Sequence, residues 1–428
     1  MFYPKPDSER VLYRHERALD AVLDLGAKPR RFWKVLYPLY CVSIEAEQRP
    51  ATDFEPIEEL LETGIAHAHL RSVEELANFF ALDHRLVSNL INRLKAIGHI
   101  DLNHEPLTIT ELGLSSLKDR RSYSRLQTRH VLYFDVLRRQ PLQRAHYRLR
   151  FYTMDEADEM DEINEANGRE SFARILHHYR TWDDQALWRL KEYRDYHAYN
   201  LPDEIEIETL KLARAVNAQT DIVYLPTYIV ERLPDSKLNL PRLLAFSMIQ
   251  GDHDPTLETG VNSTDPALAV IFREDEQVDL AAAVAEEMRL RRHQPGEWTF
   301  KLQSPRGAEL SLTAPRELPT VSERELDTRR PLSLLNIGRY LYIRVRADRY
   351  CVWVTCPTPE IRRKAIVERA VEWLNQSQSD RTKQQIDDWL ERRSRELEVA
   401  RPTSDELVAV ATRRGRWRVA EMLEVFNE

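Results

Sequence analysis

The chain has 428 residues, of which 42% are hydrophobic and 31% charged, and its formal net charge is -8. This length and composition predict two or three domains, each with a core of its own. The negative charge argues against a general binder of polyanions, whose charge is normally positive, but it leaves room for a local DNA-binding face.

Cysteine, glycine and hydropathy exclude several further classes. Three cysteines (Cys41, Cys351 and Cys356) are too few for a disulfide framework and are typical of buried, reduced thiols. Eleven glycines include no Walker loop and no dinucleotide motif, so we expect no cofactor. The first residues lack the apolar core of a signal peptide, and no later run is apolar enough to span a bilayer. We therefore expect a cytoplasmic protein without a membrane partner.

Residues 1–52 are predicted to precede the first domain and to pack on it. Mixed charge with helical spacing predicts a helix over residues 8–25. Residues 33–44 (WKVLYPLYCVSI) are rich in β-branched and aromatic residues, which favours a strand. Pro38 leaves open a second interpretation, in which this segment is a helix broken at that residue.

Residues 53–71 predict the first two elements of a domain. Glu58, Glu59, Leu60 and Leu61 lie in an amphipathic helix, and residues 67–70 (HAHL) favour a short strand. Ser72 and Glu75 have the spacing of a capping box, in which each side chain bonds the backbone of the other. This box predicts the start of a second helix, with apolar residues on one face.

A third helix is predicted over residues 84–97. Asp83 is a good N-cap for it, and Gly98 is a typical residue for the position after its end. Its apolar residues recur at helical spacing: Val87, Leu90, Ile91, Leu94 and Ile97. Two short β segments, 100–102 and 107–110, then flank residues 103–106 and predict a hairpin, after which Thr110 starts another helix.

This order of elements resembles the winged helix-turn-helix superfamily of DNA-binding domains, in the style of the multiple-antibiotic-resistance and arsenic-repressor regulators. The resemblance covers about a sixth of the chain and rests on SVEELA at 72–77, VSNLINRL at 87–94, GHI at 98–100 and LTITELG at 107–113. It implies that the helix over 84–97 enters the major groove and that the hairpin is the wing.

The candidate DNA-binding residues lie outside the apolar stripe of that helix and in the basic stretch after the domain. Their side chains can reach phosphates and base edges. A merely solvated helix face is the alternative interpretation. The candidates are His84, Arg85, Ser88, Asn89, Asn92, Arg93, Arg120, Arg121 and Arg125.

Residues 126–168 are predicted to be a connector whose charge changes sign. Residues 118–150 are rich in arginine with interleaved aromatics, and residues 155–165 are almost entirely acidic. The basic part is consistent with a phosphate-binding strip or with arginine stems that cover apolar surface. The acidic part is consistent with a solvated boundary or with a lid that lowers DNA affinity. Asn167 and Gly168 mark the predicted boundary.

Residues 169–357 are predicted to form an α+β domain, and residues 358–428 a helical tail. The domain begins with an aromatic-rich helix over 171–199, in which His177 and His178 point to different faces and so make a poor metal pair. Strands are predicted at 221–230, as a pair, and at 243–249, 267–272, 298–302, 309–312, 340–345 and 350–355, with a helix at 278–290. In the tail, residues 413–418 (RRGRWR) form a basic cluster before an amphipathic last helix.

The sequence gives only weak indications of catalytic or metal-binding sites. A metal-dependent nuclease needs acidic residues around Mg²⁺ and a lysine, and the nearest set is Asp252, His253, Asp254, Glu297 and Lys301. Cys351 and Cys356 lack the second ligand cluster of a zinc site, and His67 with His69 lacks a third ligand. No residue is assigned a catalytic or metal-binding role.

The sequence thus predicts an α+β multidomain protein divided at 1–52, 53–125, 126–168, 169–357 and 358–428. Its predicted function is non-enzymatic binding of double-stranded DNA through a winged helix. Transcription regulation and a DNA-binding accessory role in a bacterial DNA-processing or phage-defence assembly both fit, as do protein partners or a homodimer. Two alternatives stay open: a scaffold whose winged helix binds protein, and the metal-dependent nuclease.

Overall fold

The computed structural model describes residues 15–102, 106–166, 172–174, 182–193, 195–201, 204–217, 220–247, 253–263, 268, 271–273, 278–303, 306–317, 330–346, 348–375 and 381–426. These residues form helices and a curled mixed sheet, so the predicted α+β class is confirmed. Within them, one unit comprises Pro38–Glu159 and Leu176–Leu225, and the other comprises Asp7–Tyr37, Met160–Ile175 and Pro226–Glu428. The five-part division predicted from the sequence stays a prediction.

A long strand, β1 (Pro29–Gln48), runs through both units. In the first unit it pairs antiparallel with β4 (Leu126–Asp135), in a register from Leu39 opposite Asp135 to Gln48 opposite Leu126. The strand interpretation of residues 33–44 is therefore correct and the broken-helix interpretation is wrong. Pro38 is tolerated because it stands just before this ladder, where no backbone N–H is required. A short strand, β6 (Lys211–Leu212), also pairs with β1.

Four helices form a separate core in the first unit: α2 (Pro56–His67), α3 (Val73–Phe80), α4 (His84–Ile97) and α5 (Glu111–Asp119). Two short strands, β2 (Ala51–Asp53) and β3 (Arg121–Tyr123), pair antiparallel beside them. The buried residues that join the helices include Leu61, Ile65, Leu76, Val87, Ile91 and Leu94. We call residues 53–125 the N-terminal module.

Two local predictions within the module need correction. Residues 67–70 form no strand: His67 ends α2, and His69 adopts a left-handed conformation with φ 55° that breaks an extended run. The capping box is only half correct. The Ser72 hydroxyl accepts from the amide of Glu75, but the Glu75 carboxylate accepts from the amide of Arg71 instead of Ser72.

The hairpin segment after α4 has a single described bridge, between Ile100 and Ile109. The amide of Asp101 also donates to the carbonyl of Thr108 at 3.0 Å. The connecting residues 103–105 lie outside the described residues. The predicted helix after it is present, because the Thr110 hydroxyl accepts from the amide of Gly113 and so caps α5.

The aromatic-rich stretch over residues 171–199 differs from the sequence prediction. Instead of one helix over 171–199, the described parts hold a strand, β5 (Ala173–Arg174), a helix, α7 (Gln185–Glu192), and a 3-10 turn at Tyr196–Tyr199. His177 and His178 lie outside the described residues. The acidic run before this stretch forms a helix, α6 (Met154–Ala166).

The next described elements are β7 (Ile222–Arg232), β8 (Leu243–Ser247), α8 (Pro255–Val261), α9 (Leu280–Leu290), β9 (Trp298–Gln303), β10 (Gly307–Leu312), β11 (Arg339–Val345) and β12 (Asp348–Thr355). The sheet of the second unit follows the order β8-β7-β1-β12-β10-β9 along its described strands, with β11 also paired to β12. Hydrophobic residues of β10, β11 and β12 pack on α9.

Most strand predictions for this unit are confirmed, and two are wrong. Residues 221–230 belong to one strand instead of a pair. At 267–272, the described Leu268 and Ile271 are helical, and the amide of Phe272 bonds the carbonyl of Leu268 at 3.2 Å. Both Leu268 and Phe272 are buried, and four residues between them is helical spacing.

The second unit ends in four helices: α10 (Pro359–Asn375), α11 (Lys383–Glu396), α12 (Ser404–Arg413) and α13 (Trp417–Val425). Thr382 and Thr403 start α11 and α12 with complete capping boxes. Val419, Ala420 and Leu423 of α13 lie in the core shared with α10. The last helix therefore packs on its own unit. Of the helix predicted over 8–25, the described part is α1 (His15–Asp24).

No helix among the described residues combines the length and the apolar character that crossing a membrane requires.

Candidate nucleic-acid interface

Helix α4 has the bounds that its flanking residues predict. The Asp83 carboxylate accepts from the amides of Arg85 and Leu86, which satisfies two N–H groups of the first turn. Gly98 ends the helix with φ 88°, and its amide bonds the carbonyls of Leu94 and Lys95. These two caps fix where the helix starts and ends, so they also fix which residues share its outer face.

The outer face of α4 carries the candidate residues. Val87, Ile91 and Leu94 are buried in the module core. The opposite side exposes His84, Arg85, Asn89, Asn92 and Arg93, while Ser88 is half-buried. Asparagine and arginine are the residue types that make paired hydrogen bonds to adenine and guanine edges. The face therefore carries side chains of the types that can bind phosphates and base edges.

The charge of the module is divided between its helices. Helix α4 carries Arg85, Arg93 and Lys95 and no acidic residue, whereas α2 and α3 together carry five glutamates. A helix that carries no carboxylate of its own adds no repulsion of phosphates, even on a protein whose net charge is negative. The chain's charge of -8 is thus consistent with an anion-binding helix.

The two arginines of α4 differ in their surroundings. The Arg93 guanidinium lies 3.1 Å from a carboxylate oxygen of Glu55 and 3.2 Å from one of Glu58. Arg85 is exposed, and within the described ranges its side chain has no carboxylate partner. Arg85 is therefore the more available cation, and Arg93 must exchange partners before it can bind a phosphate.

Arg120, Arg121 and Arg125 are all exposed but lie on other elements. Arg120 ends α5 in a left-handed conformation with φ 52°, and Arg121 stands opposite Asp53 in the β2–β3 pair. One buried contact relates them to α4, because His99, two residues after its end, bonds the carbonyl of Tyr123 on β3. The end of α4 and the strand that carries Arg121 are therefore joined through one side chain.

That side chain belongs to a buried polar cluster that sequence analysis missed. His99 Nδ1 lies 2.5 Å from Glu62 Oε1, and His99 Nε2 lies 3.2 Å from Ser116 Oγ. His99, Glu62 and Ser116 are all 0% exposed. Through His99, two residues after the end of α4, the cluster connects α2, α5 and β3.

The contacts run from Ser116 to His99 and from His99 to Glu62, as they do from the serine to the histidine to the acidic residue of a hydrolytic triad. The burial of all three side chains rules out substrate access in this arrangement. In addition, the Ser116 hydroxyl donates to the carbonyl of Leu112 and accepts from the amide of Tyr123. The cluster is therefore a structural brace of the module.

The electrostatics of the brace favour a shared proton. Burial disfavours a charged imidazole, but the hydrogen bond and negative charge of Glu62 outweigh it, so the pKa of His99 is raised. Burial also raises the pKa of the Glu62 carboxyl, against the effect of His99. Both shifts favour the state in which the pair holds a proton.

Several arginines of the basic stretch over residues 118–150 are engaged by other partners. Arg129 pairs with Glu45, Arg139 pairs with Asp183, and Arg144 donates to the carbonyl of Leu201. These contacts reduce the number of arginines available for a phosphate strip. An acidic lid formed by α6 stays a hypothesis.

The described members of the nuclease set have structural partners. Asp254 caps α8 and accepts from the hydroxyl of Ser247 at 2.6 Å. Glu297 pairs with His293 at 2.9 Å, and Lys301 is exposed on β9. Asp252 lies outside the described residues. Over the ranges that the structure describes, no three His, Cys, Asp or Glu side chains could together hold a metal ion.

The C-terminal basic cluster is held within the second unit. Arg413 and Arg414 both bond the carboxylate of Glu368 on α10, a residue that is buried. Arg416 lies 3.6 Å from Glu372 on the same helix. Trp417 is exposed beside them. These arginines are engaged by carboxylates of α10 and stabilise the tail. They must leave these partners before they can bind a ligand.

The module also exposes large apolar side chains. Phe79 on α3 is 64% exposed, Leu86 on α4 is 40% exposed, and Leu102 before the undescribed hairpin tip is 68% exposed. Scattered apolar residues are normal on protein surfaces. Their presence on one small module nevertheless bears on the choice between a DNA and a protein partner.

Comparison of the chain with protein-family models, with curated proteins and with solved structures found no match in any of the three.

Proposed function

We propose that the N-terminal module is a winged helix that binds double-stranded DNA, with α4 in the major groove. The observation that carries this proposal is the outer face of α4, which combines exposed Arg85, Asn89 and Asn92 with a helix free of acidic residues. Cationic and amide side chains on one exposed helix face suit phosphates and base edges together.

The candidate residues divide into two roles in this proposal. Arg85, Asn89 and Asn92 read base edges, since they are exposed along the helix. His84, Ser88, Arg120, Arg121 and Arg125 bind phosphates and set the orientation. Arg93 contributes once it leaves Glu55 and Glu58. The antiparallel bridge between Ile100 and Ile109 supports the proposal that this hairpin segment is the wing.

At the level of the cell, two roles use the same chemistry. One is a bacterial transcription regulator, and the other is the DNA-binding accessory subunit of a DNA-processing or phage-defence assembly. The second unit serves ligand sensing, dimerisation or docking to partner subunits in either role. We further propose a cytoplasmic location for this protein.

The test is a titration of the full chain with a duplex of mixed sequence at two salt concentrations, with and without Mg²⁺. We expect binding that weakens steeply with salt, because each neutralised phosphate releases counterions. Absence of binding at low salt would refute the proposal. Mg²⁺-dependent strand cleavage would instead favour the nuclease alternative.

A protein partner for the module is the second candidate. It is favoured by the exposure of Phe79, Leu86 and Leu102, since removing exposed apolar side chains from water favours association. The two candidates differ in the effect of a Phe79→Ser substitution. DNA binding through α4 tolerates this change, whereas a protein interface centred on α3 loses affinity.

A further inference from the structure

A basin of about 510 Å³ lies in the first unit, outside the N-terminal module. It is lined by Arg139, Trp182, Asp183, Asp184, Gln185 and Trp188. Two tryptophans, two carboxylates and a guanidinium at one open basin are the chemistry of a ligand that is both planar and polar.

Trp188 supplies an exposed aromatic surface. It is 63% exposed, although it lies on α7 among buried Ala186, Leu187 and Leu190. The Lys191 ammonium stands 4.3 Å from the centroid of its ring and also donates to the carbonyl of Glu208 at 2.8 Å. The lysine thus steadies the indole on one side, while the rest of the ring faces solvent and is available for stacking.

Asp184 places an acceptor beside the indole of Trp182. Its Oδ1 accepts from the Trp182 Nε1–H at 2.7 Å, and Trp182 in turn packs edge-on against Tyr40 and Phe134. Trp188 follows Asp184 by four residues, so both lie on one side of the start of α7. Asp184 is exposed and has a second carboxylate oxygen to offer.

Basic side chains lie beside Asp183, which precedes Asp184 and also lines the basin. Arg139 and Arg189 both lie on the carboxylate of Asp183, at 3.2 and 3.6 Å. The cations Arg139, Arg189 and Lys191 outnumber the carboxylates of Asp183 and Asp184, so the surroundings keep a small positive excess. This excess disfavours a cationic ligand at the basin and suits a phosphate group.

We propose that this basin binds a nucleobase with an exocyclic amino group, stacked on Trp188 and donating its amino protons to Asp184. Guanine fits best, because its neighbouring N1–H and N2–H groups match the two oxygens of a carboxylate, and Oδ1 keeps a second acceptor position beside the Trp182 N–H. The phosphate of the same nucleotide lies toward Arg189 and Lys191. The base belongs either to a free nucleotide or to an unpaired stretch of nucleic acid.

This site does not depend on DNA binding by α4, because no residue of the N-terminal module lines it. The two proposals therefore fail separately. Arg85→Ala tests the helix and leaves nucleotide binding unchanged, whereas Trp188→Ala tests the basin and leaves duplex binding unchanged.

The experiment titrates the full chain with GMP, with IMP, which is the same purine without the exocyclic amino group, and with UMP, a pyrimidine without one. Binding is followed by tryptophan fluorescence and by the NMR signals of the indole N–H groups. We expect saturable GMP binding and binding of IMP and UMP that is about tenfold weaker, the discrimination of a good base contact. Trp188→Ala should abolish binding, Trp188→Phe should retain part of it, and Asp184→Asn should reduce the preference for GMP. Trp417→Ala is the control, since Trp417 is 61% exposed on the second unit.

The source of the base follows from a comparison of GMP with a guanine-containing single strand and its blunt duplex. Tighter binding of the single strand identifies an unpaired strand as the ligand, and equal affinity identifies a free nucleotide. The proposal is overturned by equal affinity for GMP and UMP, by saturation with choline instead of nucleotides, by an undiminished affinity in a folded Trp188→Ala protein, or by absence of saturation.

Discussion

The imidazole of His99 and the carboxylate of Glu62 form a 2.5 Å contact in the interior of the N-terminal module. Both side chains are fully buried, so each depends on the other to compensate its loss of water. Because His99 also contacts Ser116 and the carbonyl of Tyr123, this pair holds α5 and β3 against α2. The orientation of the basic residues beside α4 therefore depends on a buried contact that is not part of the outer face of α4.

Removal of one partner of this pair should destabilise the module strongly. Glu62→Ala and His99→Ala each leave a buried polar group without compensation, which costs about 3–5 kcal/mol. The loss should appear as faster amide hydrogen exchange in α5 and β3. Glu59→Ala, at a half-buried position three residues before Glu62 on α2, is the control and should have little effect. Unchanged exchange in His99→Ala would contradict a bracing role.

The stability of the module should also depend on pH. The pKa of His99 is raised from its ordinary value of 6.5, so the folded module binds this proton more tightly than the unfolded chain does. Its contribution is fully present below pH 6.5 and is lost as the pH rises through the folded pKa. The raised pKa of Glu62 acts in the same direction at lower pH.

The measurement is amide exchange of residues 53–125 across the pH range, corrected for intrinsic exchange rates. We expect opening to become easier above neutral pH in the native chain. In His99→Gln the slope should flatten, because the titrating group is gone. A module that becomes more stable as the pH rises above neutral would contradict the raised pKa.

Gly98 should be intolerant of a side chain for a backbone reason alone. Its φ of 88° lies in the left-handed region, while the nearest atom to an added Cβ would be Leu112 Cδ2 at 3.7 Å, an ordinary contact. Gly98→Ala should therefore cost about 1–2 kcal/mol through strain and not through a clash. Gly98→Asn, which tolerates this conformation better, should cost less in the same urea titration. Equal losses would point to a steric cause.

The C-terminal helices should be essential for the second unit. Truncation after Thr403 removes Leu407, Ala411 and Leu423 from its core and removes both arginine partners of the buried Glu368. We expect loss of solubility or of the cooperative thermal transition. A soluble truncated chain with an unchanged transition would show that α12 and α13 are peripheral, and a change of oligomeric state would make them an interface.

The sequence predicts the elements that local chemistry defines and misses those that depend on distant partners. Asp83 and Gly98 flank α4, and the observed helix has the predicted bounds. His99 and Glu62, in contrast, are 37 residues apart, and no periodicity relates them. The aromatic residues around Trp188 predict one long helix. The prediction is wrong because the irregular spacing of tryptophan and tyrosine does not indicate where a helix ends. Trp182 instead packs beside β1 and β4, on Tyr40 and Phe134.

The sequence predicts which residues form the outer face of α4, but it does not predict which of their side chains are engaged by other residues. The exposure of Arg85, Asn89 and Asn92 follows from the apolar stripe of α4. The engagement of Arg93 by Glu55 and Glu58 does not, since Glu55 lies 38 residues earlier in the chain. Which arginine is available is therefore a property of the folded module.

The most direct test of the central proposal compares Arg85→Ala with Arg93→Ala in duplex titrations at two salt concentrations. We expect Arg85→Ala to weaken binding by about 1–3 kcal/mol if it contacts a base, with Arg93→Ala weaker in effect because its carboxylate partners compete with DNA. Lys301→Ala, an exposed cation on β9, is the control and should leave affinity unchanged. If both α4 variants stay folded and bind the duplex with the affinity and salt dependence of the native chain, α4 is not the DNA-binding element.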